Sequence, residues 1–276
     1  MHLPPLAYLP EVLQRLDEVN LLLERSLEPS RAFRGVRSDQ QNNLRLAVGL
    51  HTLNALEASK ALHVLANRKM GVAMYPHART MFEVLVKIRW MQKCPSRATD
   101  YLDSEPFERY ALASPIVKAR PVFKEVVADC KKALEDNPRL LKLPKLVGKN
   151  GHPDFAKIAK ALRMPDLDKM VVDVGLDSDD YMLDFGITSL APHSSIVHTI
   201  DFAKRINPDG SAMFSAEIPP KMLLGYAARA LPRAGQILES TLKTFPDGKI
   251  EYEAEHHAQI VKTLVLKLKG EFITGD

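Results

Sequence analysis

The chain has 276 residues, 46% hydrophobic and 26% charged, with a formal net charge of +4. This is the ordinary globular balance, and the length can bury a core without disulfides or metals. Two cysteines far apart, Cys94 and Cys130, exclude a disulfide scaffold and fit a reducing compartment, while the mild positive charge permits an anionic partner without demanding one. The start, MHLPPLAYLPEVLQRLDE, has no basic segment leading into an apolar run. No stretch approaches the roughly 18–20 apolar residues that cross a membrane. A soluble, cytoplasmic protein without membrane contact is expected.

Apolar spacing is helical nearly throughout. Residues 10–27 place Val12, Leu13, Leu16, Val19, Leu22, Leu23 and Leu27 on one face. Residues 28–38 read as a polar, arginine-bearing linker. A long helix is expected from Asp39 to Arg68, with Gly71 and Pro76 separating it from a helix over 77–93 that is apolar almost all round. Pro95 stops that helix. Helices are expected at 96–113 and, beyond Pro115, at 117–135, followed by an exposed connector over 136–153. A short helix is expected at 154–163 and a weaker segment at 166–174. Residues 178–204 read as a helix kinked near Pro192, because proline removes a backbone donor and clashes with the preceding turn. Residues 205–218 read as a loop with short extended structure at Met213–Ile218. Pro219 and Pro220 open a helix to about Phe245, Pro246-Asp247-Gly248 is a turn, and 251–269 is the last helix. The fold class expected is all-α, an irregular bundle of about nine or ten helices. It reads as one domain over 1–276. Its core is 39–204, flanked by an N-terminal helix and linker at 1–38 and a C-terminal helical pair at 205–276.

No phosphate-binding glycine loop, nucleophile elbow or HExxH is present. His193 and His198 are five apart, about 140° around a helix, which makes a poor metal pair. His256-His257, near Glu253 and Glu255, read as a solvated polar face. No metal or cofactor is expected.

Two features stand out. Arg79 and Glu83 are four apart on the apolar 77–93 helix, so they share a face. Burial of charges there is costly unless they pair. The pair is either a clamp tying helices together or the lining of a polar pocket. The second feature is YMLDFGITSLAPHSSIVH, where Ser189 and His193 lie either side of Pro192. A loosened turn can aim a histidine, the side chain best suited to proton transfer near neutral pH, into a cavity. A satisfied core histidine is the plainer reading.

The segment 58–103, ASKALHVL…ATDYLD, with its R-x3-E helix, followed by a tyrosine-containing helix and Ser-x3-His, resembles a bacterial domain of unknown function, family 5677, over roughly residues 40–200. The matching residues are Arg79, Glu83, Tyr181, Ser189 and His193. The resemblance implies an all-helical fold and a site built from Arg79, Glu83 and His193, with Tyr181 and Ser189 as binding residues. More loosely, the chain is similar to HEPN-class helical proteins, many of them metal-independent ribonucleases of toxin or anti-phage systems. Their R-x4–6-H motif has one match here, Arg45 to His51, at a spacing that chance also supplies. Two functions follow as expectations. One is a metal-independent RNA-cleaving effector, with Arg79 stabilising phosphate charge, His193 as general acid or base and Glu83 orienting Arg79. The other is a non-enzymatic binding or regulatory module, a homo-oligomer, or a sensor of a small anionic ligand.

Overall fold

Apolar residues at gaps of three and four decide the first helix. In α1 (Leu9–Ser26) all the predicted apolar positions are buried, with Val12, Leu16 and Leu23 fully so. Pro10 sits in the first turn, where its missing N–H has no helical partner to lose. The computed structural model describes residues 5–28, 39–117, 119–136, 165–182, 203–206, 212–214 and 220–274. Most of the expected linker at 28–38, nearly all of the connector at 136–153, the helix at 154–163 and the kink at Pro192 lie outside the described residues.

α2 (Gln40–Asn67) begins at Asp39, whose carboxylate accepts the N–H of Gln41 at 2.9 Å. It ends in a tight left-handed cap. Lys69 has φ 56°, its N–H donates to Ala66 O at 3.0 Å, and Met70 N–H donates to Leu65 O at 2.8 Å. α3 (Gly71–Lys93) starts six residues earlier than expected, because Pro76 lies within its first two turns and costs one intrahelical bond rather than breaking the helix. α4 (Ser96–Ala113) has the expected bounds. α5 (Phe123–Glu135) starts later than the predicted residue 117. The chain turns first, with Ile116 O accepting from both Ala119 and Arg120, and Pro121 cannot donate to extend that turn.

α6 (Leu167–Asp173) is closed by Gly175, φ 70°, with Gly175 N–H on Val172 O and Leu176 N–H on Val171 O, both at 3.1 Å. One helical turn, Ser178–Tyr181, follows. The expected helix over 178–204 is corrected at its far end. Ala203–Ile206 is a strand, β1, paired antiparallel with β2 (Ala212–Phe214), with an irregularity between Ala203 and Arg205. α7 (Pro220–Thr244) and α8 (Gly248–Thr274) complete the described chain. α8 starts three residues before the prediction because Asp247 Oδ1 caps it, accepting from Lys249 N at 3.0 Å and Ile250 N at 3.1 Å. Among the described residues there are eight helices longer than one turn, fewer than the nine or ten expected.

The architecture is an all-α bundle with one small hairpin. α3 is its central element, packed on α2, α7 and α6. That explains why Met81, Phe82, Leu85, Val86, Ile88 and Met91 are all fully buried. α7 packs on α1, α2, α3 and α8. Polar links pin these interfaces. The Thr52 and Thr241 hydroxyls lie 2.8 Å apart between α2 and α7, and Gln92 of α3 donates to Thr244 Oγ1 of α7 at 2.8 Å. No helix among the described residues is long and apolar enough to cross a membrane.

Candidate functional site at the α3–α7 seam

Residues four apart on α3 form one row. Arg79 Nε donates to Glu83 Oε1 at 2.8 Å, and Glu83 Oε2 lies 3.8 Å from Lys87 Nζ. The three side chains are 28%, 28% and 29% exposed. The Arg79–Glu83 pair is therefore half-buried and reachable by solvent. Its hydrogen bond joins two residues of one helix, so that bond does not tie helices together.

Three contacts show how α7 lies against this helix. Tyr75 packs on Tyr226 with ring centroids 4.3 Å apart, and the Arg233 guanidinium sits 5.5 Å from the Phe82 ring centre. Gln92 reaches Thr244 further along. Later residues on α3 meet later residues on α7, so the two helices run in the same direction. Arg79 lies between Tyr75 and Phe82 on α3, and Arg229 lies between Tyr226 and Arg233 on α7. Arg233 is 9% exposed and donates from Nη1 to Gln236 Oε1 at 2.9 Å. Its charge also reaches Arg89 of α3: burial pulls Arg89 below the usual arginine value, Glu239 opposes this and Arg233 adds to it. Arginine stays ionised through such shifts.

Tyr181 closes the seam from a third direction, its ring 6.4 Å from that of Phe82. Burial pushes its hydroxyl above the usual tyrosine value, the negative charge of Asp168 adds to this, Arg79 opposes it and Glu83 adds again. The phenol is thus a protonated donor at neutral pH beside Arg79 and Glu83. Its placement depends on α6. Asp173, the last residue of that helix, accepts from Lys93 at 2.8 Å and from Arg97 at 2.6 Å, and these bonds hold its carboxyl below the usual range. Arg97 also donates to Trp90 O at 3.0 Å and stacks 4.6 Å over the Trp90 ring. This clamp joins α3, α4 and α6 a few residues before Tyr181.

The structure therefore brings together Arg79, Glu83 and Tyr181, whereas Ser189 and His193 lie outside the described residues. Reasoning from sequence missed Arg229 and Arg233. Their signal was the one that selected Arg79: charges four apart in a helix whose neighbours, from Leu223 to Leu238, are largely apolar and buried. Arg45 and His51 do not form a pair. Arg45 is exposed, while His51 is buried against Tyr101 at 4.9 Å, and burial, helped by the charge of Lys87, lowers its pKa to about 3. Glu255 and His256 are exposed, as expected, whereas His257 and Glu253 are half-buried against α1: His257 Nδ1 lies 3.3 Å from Glu18, and Glu253 receives two bonds from Arg25. No group of three or more metal-ligating side chains occurs among the described residues.

An all-helical bundle with arginines and aromatic rings along one seam defines the class. The chain belongs to the family of unknown function (DUF5677), which it matches over residues 45–210. The match contains Arg79, Glu83, Tyr181, Ser189 and His193, and it ends before α7. No curated protein and no solved structure matches the chain.

Proposed function

We propose that the α3–α7 seam binds a phosphate-bearing ligand, either RNA or a small anion, and that the chain acts as a binding or sensing module. The observation that carries this reading is the half-buried Arg79, held by Glu83 with the Tyr181 hydroxyl beside it, on the helix whose Phe82 ring also carries the Arg233 guanidinium. Guanidinium groups present paired donors that match phosphate oxygens, and partial burial strengthens such bonds. The row Arg79–Glu83–Lys87 holds Arg79 in one orientation.

A second reading is metal-independent RNA cleavage in a bacterial toxin or anti-phage system. The contact of Glu83 with Arg79 supports it, because a carboxylate orients the guanidinium that would stabilise developing phosphate charge. Tyr181 or His193 would supply the proton. Incubating the purified protein with single-stranded RNA and a chelator tests both readings. Binding without cleavage supports the module. Cleavage lost in His193→Ala establishes the enzyme, and neither binding nor cleavage of RNA, together with no binding of ATP, overturns both.

A further inference from the structure

Arg89 continues the side of α3 that meets α7. It lies seven residues past Phe82, about 20° from it around the helix, and three residues before Gln92. Phe82 carries the Arg233 guanidinium, and Gln92 donates to Ser240 O. Arg233 and Ser240 are likewise seven apart on α7, on one face of it. Arg89 is thus bracketed by two contacts between α3 and α7. We propose that Arg89 and Arg233 together hold a terminal phosphate, the dianionic end of a nucleotide or of an RNA strand.

Three observations carry this. First, Arg89 is half-buried and, among the described residues, has neither a hydrogen-bond nor an ion-pair partner. A charge taken from water without a partner is costly, and an anion removes that cost. Second, its neighbour across the seam has the same sign. Arg233 is 9% exposed. Burial first, then the Arg233 charge, lower the Arg89 pKa, and Glu239, which opposes them, is exposed and already bonded to Lys243 at 2.8 Å. Third, Ser240 Oγ is fully buried and without a partner among the described residues. The same stretch of seam therefore leaves a hydroxyl as well as a cation unsatisfied. Two guanidiniums call for two negative charges. A phosphate monoester supplies nearly both at neutral pH, whereas a phosphodiester inside a chain supplies one. Arg233 has so little open surface that an end group reaches it and a diester flanked by two sugars does not.

The proposal rests on the seam being a phosphate site, and isothermal titration calorimetry separates the two. The probes are AMP against adenosine, and a short RNA with and without a terminal phosphate. At least one phosphorylated probe is expected to bind saturably, about tenfold or more tighter than its unphosphorylated form. AMP binding alone assigns the group to a nucleotide; preference for the phosphorylated RNA assigns it to a strand end. Arg89→Met keeps the apolar stem and removes the charge. It should weaken the bound probe by about tenfold or more and leave Tm unchanged or higher, because an unpaired charge is removed. An arginine with a purely structural role would lower Tm instead. Unchanged affinity in Arg89→Met, with binding lost in Arg79→Ala, overturns this inference and leaves the seam reading standing. Unphosphorylated probes binding as tightly as phosphorylated ones also overturn it. No binding of any phosphorylated probe overturns both.

Discussion

The flank of α1 and the α3–α7 seam are both rich in charge, and they use it differently. On the α1 flank opposite charges cross from helix to helix: Asp17 to His63 and Glu24 to Lys60 on α2, Arg25 to Glu253 and Glu18 to His257 on α8. Those contacts are complementary pairs on the rim of a core, the usual arrangement for aligning helices, and each is worth about 0–1 kcal/mol. In the seam Arg79 bonds Glu83 on its own helix and Arg233 bonds Gln236 on its own helix. The buried rings of Phe82, Tyr75 and Tyr226 form the floor of the seam. The contrast separates charge that pairs across helices from charge that pairs within one helix.

The largest expected effect comes from removing that floor. Phe82 is fully buried, touching both Arg233 and Tyr181. Phe82→Ala should lower stability by about 3–5 kcal/mol, measured by urea unfolding; a loss below about 1 kcal/mol would mean the seam is not packed as described.

Acid should come next. His51 has a folded pKa of about 3 because burial favours its neutral form, reinforced by Lys87. Tyr101, packed on its ring, is itself held protonated by burial and by Glu108 and Glu105. The unfolded chain takes up a proton near pH 6.5 and the folded chain does not until about pH 3. Stability is therefore complete above pH 6.5 and falls as pH drops through that window, by up to about 1.4 kcal/mol per pH unit. Between pH 6.5 and 5 the loss should be roughly 2 kcal/mol, and His51→Gln should flatten the slope. An unchanged slope in that variant would assign the acid sensitivity elsewhere.

Smaller effects sharpen the comparison. Lys69→Gly should raise stability by about 0.5–1 kcal/mol, the left-handed strain less the greater freedom of glycine in the unfolded chain. Arg79→Ala should cost less than about 1 kcal/mol, since its partner is one turn away and both side chains are 28% exposed. A buried clamp between helices would cost roughly 3–5 kcal/mol instead, so a large drop in Tm for Arg79→Ala would return the pair to a structural role.

The helices were largely legible in the sequence, because a three-four apolar rhythm survives any tertiary context. α4 begins and ends where Pro95 and the apolar spacing place it. Where the expectation failed, a local bond overrode the rhythm: the turn before Pro121 delays α5, the Asp247 cap advances α8, and Pro76 is absorbed by the start of α3. The left-handed Lys69 has no sequence signal, since that cap usually carries glycine. For the site, the spacing on α3 was enough to select Arg79 and Glu83. The approach of Tyr181 depends on a clamp from Asp173 to Lys93 and Arg97, which is long-range and invisible to spacing. Arg233 was within reach of the same reasoning. Its contact with Phe82 appears only when α7 is seen to pack on α3.

The most direct test of the account is binding of fluorescently labelled single-stranded RNA and of a labelled ATP analogue, in chelator, to the wild type, Arg79→Ala and Arg25→Ala. Binding of at least one probe is predicted, weakened about tenfold or more by Arg79→Ala, as expected for a lost charged hydrogen bond, and unaffected by Arg25→Ala on the flank. No binding of either probe, or equal loss in both variants, would contradict it.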